Sequence, residues 1–347
     1  MVYDSFRPGQ IWLDSTGQRI QAHGGSVYSV DGKYYWIGEN KELTDGANGI
    51  WHNGVRCYSS MDLYNWADEG IIIPASEDSN STLHRSSQMD RPHIIYNRKT
   101  QKYVCWLKIM EKDGTQDMTV LKSDSLLGPY ELYREHLKPF DMSSGDFDLA
   151  VDKTTEKAYW YFENVHRSLI CADLNESYDD VTGYYSEHFI HDEGVPYVRE
   201  APAHFEYKGK HYLATSGTTG YYPNPSEIAV ADDYHGPFTI LGSFHLGKDS
   251  ETSFRSQVSS IFRIEETDKY IAVADRWLVN SDIPYEKVKA VFELYSQDRM
   301  KEALELVKSL DLSPENTSIA DYVWLPVIWE GNYPHLEWCN EWRLENL

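Results

Sequence analysis

The sequence predicts an all-β fold, a five-bladed β-propeller with a helical insertion near the C-terminus. Three observations carry this prediction. First, a lysine followed by an aromatic or β-forming run recurs five times: Lys33-Tyr34-Tyr35-Trp36, Lys102-Tyr103-Val104-Cys105-Trp106, Lys157-Ala158-Tyr159-Trp160, Lys210-His211-Tyr212-Leu213 and Lys269-Tyr270-Ile271-Ala272. These lysines stand 69, 55, 53 and 59 residues apart (102−33, 157−102, 210−157, 269−210), the length of a unit of several short strands. Second, a polar residue opens the apolar strand before each lysine: His23, Asp90, Asp146, Glu200 and Gln257, at offsets of 10, 12, 11, 10 and 12 (33−23, 102−90, 157−146, 210−200, 269−257). Third, Gly128-Pro129-Tyr130 and Gly236-Pro237-Phe238 echo each other in the outer parts of two units. Innermost strands of a propeller line one axial channel, so five residues at equivalent strand starts converge on one mouth.

Each unit justifies its place in order. In the first, Gln10 to Leu13 reads as a short strand, and the paired glycines of Gln21-Ala22-His23-Gly24-Gly25 imply a close backbone approach. Asp31-Gly32 between Val27-Tyr28-Ser29-Val30 and the first lysine run is a type I′ hairpin signal. The Gly/Asn-rich segment from Asp45 to Gly54, with Trp51 and His52, reads as a rim loop. The second unit opens at Gln88-Met89-Asp90-Arg91-Pro92-His93, where Pro92 marks a strand start rather than an interior. In the third, Asp146 and Asp148 lie two apart and point the same way on an extended chain, and only one need face the centre of the channel mouth. The fourth runs from Arg199-Glu200-Ala201-Pro202 through a Lys208-Gly209 turn into the loop Gly217-Thr218-Thr219-Gly220. The fifth opens at Ser256-Gln257-Val258 and reaches Asp275-Arg276-Trp277.

The strand pattern then breaks over about residues 282–313. Val288, Val291, Phe292 and Tyr295, then Met300, Ala303, Leu304 and Val307, recur at helical spacing, with Pro284 in the first turn and Pro314 beyond the end. This predicts one interrupted helix or two short ones docked on the rim by one apolar face. Strands return with Tyr322-Val323-Trp324-Leu325-Pro326 and Leu336-Glu337-Trp338, and terminal strands are expected to close the ring. The whole chain, 1–347, reads as one domain.

Composition bounds the function. A net charge of −23 opposes phosphate-rich and anionic-membrane partners, so neither nucleic acid nor a membrane is expected. The 26 tyrosines and 11 tryptophans suit strands and also suit stacking on sugar faces. Cys57, Cys105, Cys171 and Cys339 form no Cys-x-x-Cys pair, which predicts reduced thiols and a cytoplasmic setting. No signal-peptide pattern opens the chain and no apolar run is long enough for a bilayer. No nucleotide-binding glycine motif, serine nucleophile elbow or metal-ligand set is present, so no cofactor and no metal is expected.

Seven motifs in order, Gln21-Ala22-His23-Gly24-Gly25, Tyr58-Ser59-Ser60-Met61-Asp62-Leu63, Asp90-Arg91-Pro92, Arg199-Glu200-Ala201-Pro202, Pro223-Asn224-Pro225, Asp275-Arg276-Trp277 and Tyr322-Val323-Trp324-Leu325-Pro326, together resemble glycoside hydrolase family 43. The likeness is to its branch of exo-β-1,3-galactanases and related galactose- or arabinose-releasing enzymes. It spans nearly the whole chain except the helical insertion.

The resemblance implies an exo-acting, inverting hydrolase of galactan or arabinogalactan-type oligosaccharides. Release of terminal α-L-arabinofuranosyl or β-D-galactofuranosyl units is the alternative, and a non-catalytic carbohydrate-binding propeller or a protein-interaction scaffold are the readings of another class. Glu200 matches the family's general acid and Asp146 the carboxylate that orients it and tunes its pKa. The usual catalytic Asp of the first inner strand is absent, and His23 stands there instead. The branch resemblance points to Gln257 as the base through its imidic tautomer. A neutral amide is a poor base, so Asp90 remains its rival. Asp90 replaces a usual Glu, moving the carboxylate by about 1.5 Å. Arg91 lies in the Asp90 motif and completes the expected pocket with His23, Trp51, Tyr221, Tyr222, Asn224, Arg276, Trp277 and Trp324. For the aromatics, blade packing is an equal alternative.

Overall fold

The hairpins form where the turn residues allow them. Asp31 and Gly32 adopt φ of 53° and 75°, and Lys208 and Gly209 adopt 50° and 73°, so both turns are of the type I′ kind that matches strand twist. The computed structural model, which describes residues 2–310 and 315–347, arranges these hairpins as a β-propeller.

Four consecutive antiparallel strands make each of the first four blades. They are β1 (His23–Val30), β2 (Lys33–Glu39), β3 (Val55–Ser60) and β4 (Ala67–Ile73); β5 (Gln88–Asn97), β6 (Lys102–Met110), β7 (Gln116–Ser123) and β8 (Glu131–Leu137); β9 (Ser144–Val151), β10 (Ala158–Asn164), β11 (Ser168–Leu174) and β12 (Val181–His188); β13 (Arg199–Tyr207), β14 (Lys210–Gly217), β15 (Ser226–Ala231) and β16 (Thr239–Ser243). After β17 (His245–Leu246) the next sheet comprises β18 (Gln257–Arg263), β19 (Tyr270–Arg276), β20 (Asp321–Tyr322) and β21 (Leu325–Pro326). The inner strands β1, β5, β9, β13 and β18 contact one another in that order, and β18 returns to β1.

Among the described residues the expected count of five blades is corrected to six sheets. The sixth is three-stranded, in the order β17, β23 (Tyr333–Glu337) and β22 (Ile328–Glu330). It has no lysine landmark and its strands are short, which is why the repeat count passes over it. Only Val327 separates β21 from β22, so the chain runs from the fifth sheet directly into the sixth. The termini pair through a two-residue bridge, Phe6 to Trp342, and not as a blade strand; Gln10 to Leu13 forms no strand either.

Burial of the landmark aromatics joins the blades. Trp36, Trp106 and Trp160 are fully buried, and Trp106 meets Trp160 at 5.2 Å between ring centres across the second and third blades. Each such side chain contributes about 1.5–3 kcal/mol. The glycine pair behaves as expected: a Cβ on Gly25 would lie 1.8 Å from the Ile37 carbonyl oxygen, so only glycine fits. Pro92 departs from expectation, since it lies inside β5, at a bulge where the ladder shifts between Asp90 and His93 and no amide hydrogen is needed.

The insertion is two helices, α1 (Tyr285–Ser296) and α2 (Met300–Ser309), with Pro284 as N-cap of the first. Val288, Val291 and Ala303 are buried, whereas Met300 and Leu304, expected on the docking face, are exposed. The expected end at 313 and Pro314 lie outside the described residues. Among the described residues no helix is long and apolar enough to cross a membrane, and all four cysteines are free.

Candidate active site

A kink repeated at the strand starts aims side chains at the axis. In β1, β5 and β13 the residue after the predicted site residue has positive φ: Gly24 58°, Arg91 55° and Ala201 48°. The ladder shifts at the same points, between His23 and Ser26, Asp90 and His93, and Glu200 and Ala203. Such bulges turn a side chain off the pleat. The result is a cavity of about 380 Å³ at one end of the axis, the size of a sugar site.

Asp90, Arg91, Asp146, Glu200, Gln257, Trp51, Tyr221, Tyr222 and Trp277, all predicted, line this cavity. Trp51 and Tyr221 stack at 5.9 Å between ring centres, and Tyr221 meets Trp277 at 5.1 Å, giving one aromatic wall.

Four other predicted residues lie elsewhere. His23 is fully buried beneath the floor, its Nδ1 2.9 Å from Asp275 Oδ1 and its ring stacked on Tyr322. Trp324 belongs to the core, packed against Phe6, Trp12, Trp36 and Trp66. Arg276 donates to the Phe254 carbonyl and covers Trp338 in a separate groove of about 690 Å³. That groove is larger, and none of the other predicted site residues lines it. Asn224 is buried behind the wall, where it accepts from the Gly217 amide at 2.7 Å and donates to Thr219 Oγ1 at 2.7 Å, bracing the loop that carries Tyr221. The two aspartates of β9 also divide: Asp146 faces the cavity, while Asp148 accepts from the His204 amide below it.

The floor is a charged network. Arg91 Nη2 donates to Asp146 Oδ2 at 2.7 Å and to Gln257 Oε1 at 2.5 Å. Lys108 Nζ lies 2.9 Å from Asp146 and 3.1 Å from Asp90. Trp51 Nε1 donates to Asp90 Oδ1 at 2.8 Å. Gln257 Nε2 donates to Glu200 Oε1 and to Ser216 Oγ, both at 3.0 Å.

The network separates the carboxyls. Burial pushes Glu200 well above the usual carboxylate range, and the charges of Asp146 and Glu163 push it further. Burial also works against ionisation of Asp146 and Asp90, but Arg91 and Lys108 outweigh it for the first, and Lys108 and Lys41 for the second. Both stay ionised. A carboxyl whose surroundings favour its proton, near one that its partners keep ionised, is the arrangement an acid catalyst requires.

Sequence reasoning missed Glu39, Lys108, Thr218, His166 and Phe292, which also line the cavity. Glu39 is buried against Lys41 at 2.8 Å, and burial raises it to about 7. Glu39 and Lys108 come from second strands, whereas the repeat counted back from the lysines marks only the starts of first strands. A charged residue inside an apolar run, as in Trp106-Leu107-Lys108-Ile109, was the available signal. The fold also assembles Glu111, Asp117 and His136, whose ligand atoms lie within 4.8 Å of one another, outside the cavity lining. No metal-ligand spacing announced this group, because its members are brought together by the β6–β7 hairpin and β8. Burial and then Glu111 raise Asp117 to about 6; His136 is raised too, its partial burial outweighed by Asp117.

Comparison with known proteins adds the following. The family model for glycosyl hydrolases family 43 matches residues 20–251. No curated protein sequence matches the chain. A solved family 43 β-1,3-galactosidase is 27% identical with a TM-score of 0.79, over 99% of this chain and 64% of its own. A second, solved with galactodeoxynojirimycin, is also 27% identical with a TM-score of 0.79, over 98% of this chain and 100% of its own. An exo-β-1,3-galactanase from Clostridium thermocellum shares the fold at 24% identity and a TM-score of 0.76, over 97% of this chain and 66% of its own.

Proposed function

Because the chain belongs to glycosyl hydrolases family 43, we propose that it is an inverting, exo-acting β-1,3-galactosidase that releases terminal galactose from galactan or arabinogalactan-type oligosaccharides. That it is a glycoside hydrolase follows from the family; the sugar, linkage and residue roles are the proposal. The observation that carries it is the sugar-sized cavity that buried Glu200 shares with Asp146, where burial and the Asp146 charge both favour the Glu200 proton.

Glu200 donates its proton to the glycosidic oxygen as the bond to the anomeric carbon breaks. Water attacks that carbon from the opposite face, and the product leaves with inverted configuration. Asp146, fixed by Arg91 and Lys108, orients Glu200 and keeps its pKa high. Gln257 serves as the base in its imidic form: its nitrogen takes the proton that the attacking water loses, and the equivalent proton returns to the emptied Glu200 carboxylate, with which Gln257 is in contact. Asp90 suits a different role, because Trp51 and Lys108 donate to it and Lys41 lies at 3.8 Å. So surrounded, its carboxylate is a weak proton acceptor and a firm anchor for a sugar hydroxyl. The aromatic wall of Trp51, Tyr221 and Trp277 supports the apolar face of the terminal ring.

Proton NMR of the anomeric product, with β-1,3-galactobiose, arabinofuranosyl and galactofuranosyl oligosaccharides offered separately, tests this. Release of α-galactose from the galactobiose, lost in Glu200→Gln, is expected. Release only from a furanoside would transfer the assignment to α-L-arabinofuranosidase or β-D-galactofuranosidase.

A further inference from the structure

The catalytic cavity has two chemically different sides. One is charged, with Asp90, Asp146, Arg91 and Lys108. The rest includes the loop bearing Thr218 and Tyr222, Glu315, and Phe292, which reaches in from helix α1. Helical periodicity alone predicts only a docking role for the insertion, yet one of its aromatics shares a wall with the acid.

Helix α1 is fastened beside the strand that carries Glu200. The Tyr197 hydroxyl donates to Glu293, and Lys289 Nζ lies 5.7 Å over the Tyr197 ring. A Cβ on Gly194 would lie 3.7 Å from Ser296 Cβ at the end of the helix. Tyr197 precedes Glu200 by three residues, and Phe292 of the helix lines the same cavity as Glu200. The group that Glu200 protonates is the leaving oxygen. A leaving sugar therefore extends toward α1, while the terminal sugar's hydroxyls meet the charged side.

We propose that Phe292 is the platform on which the leaving-group sugar ring rests, making the helical insertion a specificity element of the leaving-group site. This rests on the exo-galactosidase reading. Phe292 is half-buried, with Tyr295 against its edge at 5.8 Å, so its ring is held in place before substrate arrives. Stacking there is available to a disaccharide and not to free galactose.

The test compares Phe292→Ala and Phe292→Tyr, both checked for an unchanged circular dichroism spectrum. For β-1,3-galactobiose, Phe292→Ala is expected to raise KM about five- to tenfold, the equivalent of one aromatic contact, with inhibition by galactose unchanged and with Phe292→Tyr restoring KM. An unchanged KM, or a parallel weakening of galactose, would overturn the proposal. Saturation-transfer NMR on Glu200→Gln needs no turnover. Irradiating aromatic protons should mark the reducing ring of bound β-1,3-galactobiose, and adding Phe292→Ala should erase that mark while the non-reducing ring keeps its own. A mark that persists overturns the Phe292 role. A mark that behaves as expected in a protein whose wild type hydrolyses no β-1,3-galactoside overturns the galactosidase reading alone, and no binding at all overturns both.

Discussion

Gln257 Nε2 donates a hydrogen bond to Glu200 Oε1 across 3.0 Å, so the candidate acid and the candidate water-holding group touch each other directly. Inversion needs about 6.5–9.5 Å between acid and base, which places a sugar bond and a water between them. Substrate must therefore replace this contact. When it does, Gln257 retains Ser216 and Arg91 as partners, and on the proposed reading Glu200 is left to give its proton to the glycosidic oxygen.

Removal of the acid should be the most damaging single change. Glu200→Gln keeps the shape and the bond to Gln257 but has no proton to give, and a loss of about 10²–10⁴ in kcat is expected. Steady-state kinetics on β-1,3-galactobiose measure it. A variant retaining a third of wild-type kcat would remove Glu200 from the acid role.

The pH profile should report Asp146. Glu200 must be protonated to act, so activity falls as pH rises through its raised pKa. Burial is the largest cause of that rise and the Asp146 charge the next. Asp146→Asn removes the second cause, so the alkaline limb of kcat/KM should move to lower pH. A limb that stays in place would show that Asp146 does not tune the acid.

Gln257 and Asp90 should separate in kinetics. Gln257→Ala is expected to lower kcat by about 10² or more, with azide restoring turnover as an α-galactosyl azide formed by direct displacement. Asp90→Asn, which removes the proposed sugar-hydroxyl anchor, should act mainly on KM. If azide instead rescues Asp90→Asn, the base is Asp90.

Much of this is legible in the sequence. The blade period, the type I′ turns and the convergence of Asp90, Asp146, Glu200 and Gln257 all follow from local pattern, because each of these four residues stands at the equivalent position of its inner strand, with a bulge beside it in β5 and β13. The legible part stops where spatial neighbours are not sequence neighbours. His23 shares the position but is drawn under the floor by Asp275, 252 residues away in the chain. Trp324 and Trp277 belong to similar aromatic motifs, yet one packs among tryptophans from other blades and the other faces the cavity. Glu39 and Lys108 were hidden because second strands end at the mouth where first strands begin.

Stability should change with pH through Glu39. Its carboxyl is raised from 4.5 to about 7 in the folded chain, chiefly by burial. Its contribution is fully present below the unfolded pKa and is lost as pH rises through the folded one. The melting temperature should therefore fall between about pH 4.5 and pH 7, and Glu39→Gln should shrink that fall. Calorimetry at the two pH values decides it, and an identical fall in the variant would assign the effect elsewhere.

Gly25→Ala tests the close approach at the base of the first blade. The added methyl would sit 1.8 Å from the Ile37 carbonyl oxygen and 2.7 Å from Gly38 Cα, both backbone atoms of the paired strand β2. Neither can turn away as a side chain would, so β1 must leave its register. That register also positions Gly24, whose amide donates to Asp275 Oδ2 at 3.0 Å, and the same strand lies against β18, which carries Gln257. The cost should be about 3 kcal/mol or more, beyond an ordinary overpacked methyl because backbone rather than side chain must move. Urea unfolding measures it, and a change below about 1 kcal/mol would show that the strand start tolerates a shift.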